Sequence, residues 1–244
     1  MTVKIRFQLQ IAIMFGLIFS TTNNLSAQDT SLNKYGLWVI KDARTFNATV
    51  QTDSNKRMAD ITVIPNIVLD IRYATRTNFM HKKLYPSIST TWLRLPAVKA
   101  LQHIQNELNK IDLGLKIFDA YRPYSVTEKM WEPIKDDRYV ADPKKGSGHN
   151  RGIAVDLTVI NLKTKEELPM GTGFDNFSDT AHQTFTALPS QILQNRNLLK
   201  NIMEKYGFKT LETEWWHYSL PNAKDFEILN LGFKKLGKIN KQKN

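Results

Sequence analysis

The chain has 244 residues, a formal net charge of +11 and no cysteine. A chain without cysteine can have no disulfide bonds, no thiol nucleophile and no cysteine-ligated metal site. The positive charge comes without a basic motif interleaved with aromatic residues, so we expect no nucleic-acid partner and instead electrostatic attraction to anionic polymers or lipids of the cell envelope.

The first 27 residues have the pattern of a secretory signal peptide. Lys4 and Arg6 precede an apolar run over residues 11–19, and a polar stretch then ends at Ala27. A membrane anchor would need roughly 20 apolar residues, and this run is shorter. The sequence therefore predicts export to the periplasm or cell envelope, with cleavage after Ala27.

The remaining chain divides by composition into three parts. Residues 28–60 are polar and predict a loosely ordered N-terminal arm, whereas residues 61–230 carry enough apolar sequence for one domain. Residues 231–244 predict a solvated basic C-terminal tail because they hold five lysines: Lys234, Lys235, Lys238, Lys241 and Lys243. We therefore expect one folded domain between two polar extensions.

Strand and helix patterns are mixed within this domain. An apolar stripe over residues 97–108, just after Pro96, predicts a helix. Short or alternating β-branched segments predict strands at residues 61–64, 67–71, 115–118, 153–159 and 215–220. Two more helices are predicted, one from a capping box that begins at Ser125 and one over residues 198–206, before Gly207. The mixture indicates an α+β fold with helices on a small, mostly antiparallel sheet.

Two histidines and an aspartate have the residue types and surroundings of a metal site. His149 and Asp156 stand seven residues apart, and Gly152 with the β-branched residues after it predicts a loop that turns into a strand. Asp156 would then lie in a mostly apolar strand, where a buried carboxylate needs a cationic partner. Together with His217, these side chains predict a zinc site with three protein ligands and an open position for water.

Each of these residues also has a simpler explanation. Taken alone, His149 is better explained as a hydrogen-bonded histidine, and Asp156 as a strand-end carboxylate paired with Arg151 or a lysine. Glu214 precedes His217 by three residues, so both reach one metal only if Glu214 begins the strand or lies beside a bulge. Otherwise Glu214 is a surface carboxylate. The two tryptophans between them favour a shielded segment, and hence a general base at Glu214.

The motifs S-x-H-x-x-G-x-A-x-D at residues 147–156 and E-x-W-H at residues 214–217 resemble those of the D-alanyl-D-alanine dipeptidases, the VanX-like zinc peptidases. The likeness runs from about residue 65 to 220. The zinc motif alone is shared with D,D-carboxypeptidases and hedgehog-like domains, whereas residues 118–123 and 169–175 resemble the dipeptidases more narrowly. The resemblance implies the small antiparallel-sheet fold of zinc D-Ala-D-Ala metallopeptidases, which is hedgehog-like.

The resemblance also implies a role for each of eight side chains. One Zn²⁺ is held by His149, Asp156 and His217; Glu214 is the general base, and Arg122 lies near the scissile carbonyl. The pocket for a small D,D-dipeptide is lined by Tyr73, Ser147 and Asp175, with Asp175 facing the free amine. The arm before residue 60 and the basic tail have no clear counterpart in the family.

Alternatives stay open for the function and for two residues. A D,D- or L,D-carboxypeptidase that trims peptidoglycan peptides would use the same zinc core, and export and positive charge suit it. A non-catalytic zinc module that binds cell-wall fragments predicts a lost base or arginine, and both are present. Arg122 is also explained by an ion pair with Asp119, and Asp175 by a capped turn.

Overall fold

A computed structural model describes residues 32–241, which contain nine strands and six α-helices. The strands are β1 (Val39–Ile40), β2 (Met58–Asp60), β3 (Val68–Leu69), β4 (Trp92–Arg94), β5 (Leu113–Asp119), β6 (Ala154–Asn161), β7 (Lys209–Leu211), β8 (Glu214–Ser219) and β9 (Ile228–Leu229). The helices are α1 (Ala43–Thr52), α2 (Leu95–Asn109), α3 (Tyr124–Ile134), α4 (Gly148–Arg151), α5 (Ser190–Lys205) and α6 (Phe233–Lys241). The predicted signal peptide lies outside the described residues, and none of these six helices has the length and apolar character needed to cross a bilayer.

The central sheet has five strands in the order β3–β5–β6–β8–β7. Neighbouring strands are antiparallel except β3 and β5, which are parallel. Strand β6 lies in the middle, and seven of its eight residues are buried, so both of its faces are covered. The predicted α+β fold with a mostly antiparallel sheet is confirmed.

Helix α2 packs against β5 through the predicted apolar stripe. Ala97, Leu101, Ile104 and Leu108 are all fully buried, and Pro96 lies in the first turn, where its missing N–H has no intrahelical partner to lose. Burial of each large side chain contributes roughly 2 kcal/mol to the free energy of unfolding. The stripe therefore both predicts the helix and explains its attachment to the sheet.

Residues 39–60 belong to the folded structure, which makes the prediction of a loosely ordered arm wrong. Asp42 caps α1 by accepting a hydrogen bond from the Thr45 N–H (2.9 Å), and Phe46 is buried in the core. Strand β1 pairs with β9 and strand β2 with β4. The segment is held by a few separated apolar side chains and by pairing with strands distant in sequence, and neither leaves a strong local pattern.

The predicted solvated tail is also wrong for residues 233–241, which form α6. Phe233, Leu236 and Ile239 recur every three residues and are buried, whereas Lys234, Lys235 and Lys238 are exposed. This spacing puts the apolar side chains on one side of the helix and the lysines on the other. The C-terminal segment is therefore an amphipathic helix that contributes to the core.

Two smaller differences concern the ends of elements. Residues 61–63 form a 3₁₀ turn in place of a strand, and only two residues of the next predicted strand, in β3, pair with the sheet. Helix α3 begins at Tyr124 after Pro123, and the Ser125 N–H donates a hydrogen bond to Asn230 Oδ1 (3.0 Å). The predicted capping box at Ser125 is absent, because the helix begins one residue earlier and Ser125 lies inside its first turn.

Candidate metal centre and active-site cavity

His149 lies on α4, a single helical turn, and not on the predicted loop. Ser147 caps the turn: its Oγ accepts a hydrogen bond from the Asn150 N–H (3.1 Å), and Asn150 Oδ1 accepts one from the Ser147 N–H (3.0 Å). Gly152 ends the turn at φ +72°, and a Cβ there would lie 2.7 Å from the Sδ of Met58. Only glycine fits this position, and the chain then enters β6.

The orientation of His149 leaves one ring nitrogen for a metal. Nδ1 donates a hydrogen bond to the backbone carbonyl of Ala120 (2.8 Å), at the end of β5. That bond fixes the ring plane and the tautomer, so Nε2 is unprotonated in the neutral ring. Nε2 is the atom that points towards Asp156 and His217.

Three adjacent strands each place one polar residue in a single row across the sheet. Asp119 of β5 is the register partner of Asp156 of β6, and Asp156 is the register partner of His217 of β8. Glu214 is the first residue of β8 and lies beside a register irregularity in β7. This is the strand-start geometry that allows Glu214 and His217 to face the same space.

The donor atoms of the three predicted ligands form a compact triangle. His149 Nε2 lies 3.2 Å from His217 Nδ1 and 3.3 Å from Asp156 Oδ1, and the latter two atoms are 2.9 Å apart. An ion held tetrahedrally at 2.0–2.1 Å separates its ligand atoms by about 3.3 Å. The triangle therefore fits one metal ion, and two imidazoles with a carboxylate are a common ligand set for such an ion.

The carboxylates around the triangle have opposite pKa shifts. Burial opposes ionisation of Asp156, yet His149 and His217 hold its pKa well below the usual range. Glu214 has its Oε2 3.9 Å from His217 Nδ1, and burial followed by the charge of Asp156 raises the pKa of Glu214 well above its usual range. A cation at the triangle would favour the ionised form of Glu214, which suits a proton carrier beside a metal.

Arg122 is buried, and its guanidinium lies against the side chains of Asp119, Tyr73 and Asp156. Asp119 Oδ2 accepts hydrogen bonds from its Nε (2.9 Å) and Nη2 (2.8 Å), and Tyr85 donates its hydroxyl to Asp119 Oδ1 (2.8 Å). The guanidinium carbon lies 5.1 Å from the ring centroid of Tyr73, and Nη2 lies 3.8 Å from Asp156 Oδ2. The ion pair with Asp119 is therefore present, and it fixes the arginine beside the triangle.

A cavity of about 220 Å³ opens beside the triangle. Its walls include all eight residues singled out by sequence: Tyr73, Arg122, Ser147, His149, Asp156, Asp175, Glu214 and His217. Asp119 and Tyr85, which position Arg122, were not predicted as site residues. Asp119 lies within residues 118–123, where the sequence predicts only an ion pair with Arg122, and no local pattern marks Tyr85, which is 34 residues from Asp119.

Asp175 lines the cavity and is held there by two hydrogen bonds. Its φ is +61°, its Oδ1 accepts a hydrogen bond from the Tyr73 hydroxyl (2.9 Å), and its Oδ2 accepts one from the Phe79 N–H (3.4 Å). Burial raises the pKa of Asp175 to about 7, and the charge of Asp156 adds to the shift. A carboxyl that ionises near neutrality in a small cavity is suited to bind a cationic group.

Comparisons with known proteins agree with this geometry. The sequence matches the family Peptidase_M15, described as D-ala-D-ala dipeptidase, over residues 53–235. It is 34% identical over 173 residues to a D-alanyl-D-alanine dipeptidase of Escherichia coli (strain K12), covering 70% of this chain and 89% of that protein. It is 32% identical over 170 residues to one of Enterococcus faecalis (strain ATCC 700802 / V583), covering 62% and 84%.

A solved structure of the LdcB LD-carboxypeptidase is also similar, with 20% identity, a TM-score of 0.38 and coverage of 74% of this chain and 72% of that one. That similarity is too low to bear on fold or activity. The family match spans most of the sequence, and the resemblance predicted from the two motifs is confirmed. The chain belongs to the Peptidase_M15 family of D-ala-D-ala dipeptidases and is a metallopeptidase.

Proposed function

We propose that this protein is a zinc-dependent dipeptidase that hydrolyses D-Ala-D-Ala and related D,D-dipeptides. The observation that carries the proposal is the His149–Asp156–His217 triangle, which opens into a small cavity that also holds Glu214 and Arg122. The relatives that bear the name D-alanyl-D-alanine dipeptidase support the substrate. Neutral imidazoles with one carboxylate suit zinc, and the triangle has the edge lengths for it.

The side chains of the cavity divide the steps of peptide hydrolysis between them. Zinc held by His149, Asp156 and His217 would supply Lewis acidity, which would polarise the scissile carbonyl and lower the pKa of a bound water to about 7. Glu214 accepts a proton from the water whose oxygen bonds to the carbonyl carbon. Arg122 donates hydrogen bonds to the carbonyl oxygen as negative charge develops there, an effect of roughly 3–4 kcal/mol for a well-placed donor. Glu214 then delivers its proton to the leaving nitrogen as the C–N bond breaks.

Asp175 is the residue best placed to bind the amino end of the substrate. An ammonium group would restore the charge balance of a buried carboxylate, whereas an acylated nitrogen would leave that carboxylate unpaired. The cavity of about 220 Å³ is smaller than the roughly 300–1,000 Å³ of sites for drug-sized ligands. Size and charge together favour a dipeptide over a longer chain.

The experiment is a substrate panel with the purified protein. D-Ala-D-Ala, L-Ala-L-Ala and a pentapeptide ending in D-Ala-D-Ala are each incubated with the zinc-loaded protein, with and without chelator. We expect turnover of D-Ala-D-Ala only, and its loss with chelator. Turnover of the pentapeptide but not the dipeptide would instead identify a carboxypeptidase. Zinc binding without turnover of any peptide would favour a non-catalytic wall-binding module.

We also propose that the protein is exported and acts in the cell envelope. The support is the sequence of its first 27 residues: the basic start, the apolar run at 11–19 and the small residue Ala27. Removal of residues 1–27 would take away Lys4 and Arg6, and the positive charge that remains of the +11 would attract the protein to anionic envelope polymers. In that compartment its substrate would be dipeptides released from the cell wall.

A further inference from the structure

Three aromatic side chains connect three separate loops at one end of the cavity. Phe177, on the loop over residues 171–178, has its ring centroid 5.2 Å from that of Phe79 at an interplanar angle of 61°. On its other side it stacks on Tyr139, with centroids 4.8 Å apart and an angle of 26°. Both geometries are favourable for aromatic pairs. We call Phe79, Phe177 and Tyr139 the aromatic clasp.

The aromatic clasp stands at the end of the cavity that holds Asp175. Phe79 and Tyr139 line the cavity, and Phe177 lies behind them and bridges the two. The Phe79 N–H donates to Asp175 Oδ2, and the Phe79 ring packs edge-on against Tyr73, 6.2 Å between centroids. The amino end of a substrate paired with Asp175 would therefore face the aromatic clasp.

The loops beneath the aromatic clasp are anchored by hydrogen bonds. The buried Asn78 side chain donates to the carbonyls of Arg72 (3.2 Å), Thr75 (2.9 Å) and Lys82 (2.9 Å), which holds the loop of Phe79. The loop of Tyr139 is held because the carbonyl of Arg138 accepts a hydrogen bond from the Thr213 hydroxyl (3.1 Å). At this end of the cavity, one ring therefore bridges two anchored loops.

We infer that the aromatic clasp sets the length limit of the substrate on its amino side. This inference rests on the proposed dipeptidase function. A residue joined to the amino end of the dipeptide would have to extend out of the cavity between Phe79 and Tyr139. The ring of Phe177 packs against both of these side chains and holds them close to each other. Asp175 selects by charge, because it pairs with a free ammonium and is left unpaired by an acylated nitrogen, whereas the aromatic clasp selects by size. The two filters act on different properties of the same end of the substrate.

The test compares three substrates on the zinc-loaded Phe177→Ala variant: D-Ala-D-Ala, D-Ala-D-Ala-D-Ala and N-acetyl-D-Ala-D-Ala. Phe177 does not line the cavity, so we expect dipeptide turnover within about threefold of the unchanged protein. Loss of two aromatic contacts should raise kcat/KM for the tripeptide, relative to the dipeptide, by about tenfold. Tyr139→Ala, which opens the clasp from its other side, should show the same gain in that ratio.

Controls separate size from charge and from a general loosening of the fold. Phe177→Leu keeps apolar bulk and should give a smaller gain than Phe177→Ala. His103→Ala removes a different exposed stacked pair, with Tyr206, and should leave the ratio unchanged. Asp175→Asn should improve the acetylated dipeptide relative to D-Ala-D-Ala without admitting the tripeptide.

Two results would overturn the inference, and they are distinguishable. In the first, Phe177→Ala and Tyr139→Ala both retain dipeptide turnover, and neither changes kcat/KM for the tripeptide relative to the dipeptide. This result would show that the aromatic clasp does not limit substrate length. Failure of the unchanged protein to hydrolyse D-Ala-D-Ala would remove the proposed function itself, and the inference with it.

Discussion

Glu214 has the surroundings of a proton carrier: it is buried, lies 3.9 Å from a metal-site histidine, and has a raised pKa. Glu214→Gln keeps the shape of the side chain but removes its basicity. We expect kcat to fall by about 10²–10⁴-fold, while the bound zinc stays at one equivalent because the ligands are unchanged. Steady-state kinetics and metal analysis measure both. If Glu214→Gln binds one equivalent of zinc and keeps a near-normal kcat, Glu214 does not transfer protons in the reaction.

Asp175 gives the reaction a pH dependence whose direction can be stated. Its pKa of about 7 means that the carboxyl is neutral below this pH and ionised above it, and only the ionised form pairs with an ammonium group. A substrate α-amine loses its proton near pH 8, so kcat/KM should rise through about pH 7 and fall above about pH 8. Asp175→Asn should raise KM and weaken the rising limb, because only the ionisation of metal-bound water, near pH 7, would then remain. A rising limb and a KM that are both unchanged in Asp175→Asn would assign the limb to another group.

At the scale of elements, α6 offers a direct test of the C-terminal segment. Leu236 is fully buried and Lys238 is exposed on the same helix. Leu236→Ala should lower the free energy of unfolding by about 2–5 kcal/mol, and Lys238→Ala should change it by less than about 0.5 kcal/mol. Urea denaturation measures both. If neither substitution changes the free energy of unfolding appreciably, the C-terminal segment is the solvated tail that the sequence predicts.

The predictability of each element depends on how local its stabilising contacts are. The α2 stripe and the apolar run of β6 are visible in short windows, so those elements were predicted. The predictions of a loosely ordered arm and of a solvated tail are wrong for residues 39–60 and for α6. In both segments a few apolar residues, such as Phe46, stand among many polar ones. The three metal ligands were recognised from their motifs, whereas Tyr85 and the aromatic clasp combine residues from distant loops that no local pattern connects.

At the scale of the whole molecule, a metal ion held by His149, Asp156 and His217 would connect two strands and a helical turn, so it should stabilise the fold. Zinc at about 1,000 times its dissociation constant would contribute about 4 kcal/mol, which is roughly 10 °C in Tm for a domain of this size. Thermal unfolding with and without chelator measures the shift. His217→Ala should abolish it, whereas His81→Ala, which removes an exposed histidine, should retain it. Equal shifts in both variants would place the ion elsewhere.

The proposed export makes a prediction about the mature chain. Expressed in a Gram-negative host, the protein should be recovered from the periplasmic fraction with Gln28 at its N-terminus, because cleavage follows Ala27. Intact-mass measurement and fractionation test this. A cytoplasmic protein that retains residues 1–27 would contradict the proposal.

The row formed by Asp119, Asp156 and His217 has a consequence for how such an enzyme can diversify. Asp119, which anchors Arg122, and two of the proposed metal ligands are spaced by neighbouring strands, which lie about 4.8 Å apart in any sheet. Backbone pairing therefore fixes the distance between the proposed metal site and Arg122, the residue proposed to stabilise charge. Insertions or substitutions in the surrounding loops can change which substrates enter the cavity without altering the distances set by the paired strands. New substrate specificities can therefore arise while the residues of the row keep their positions.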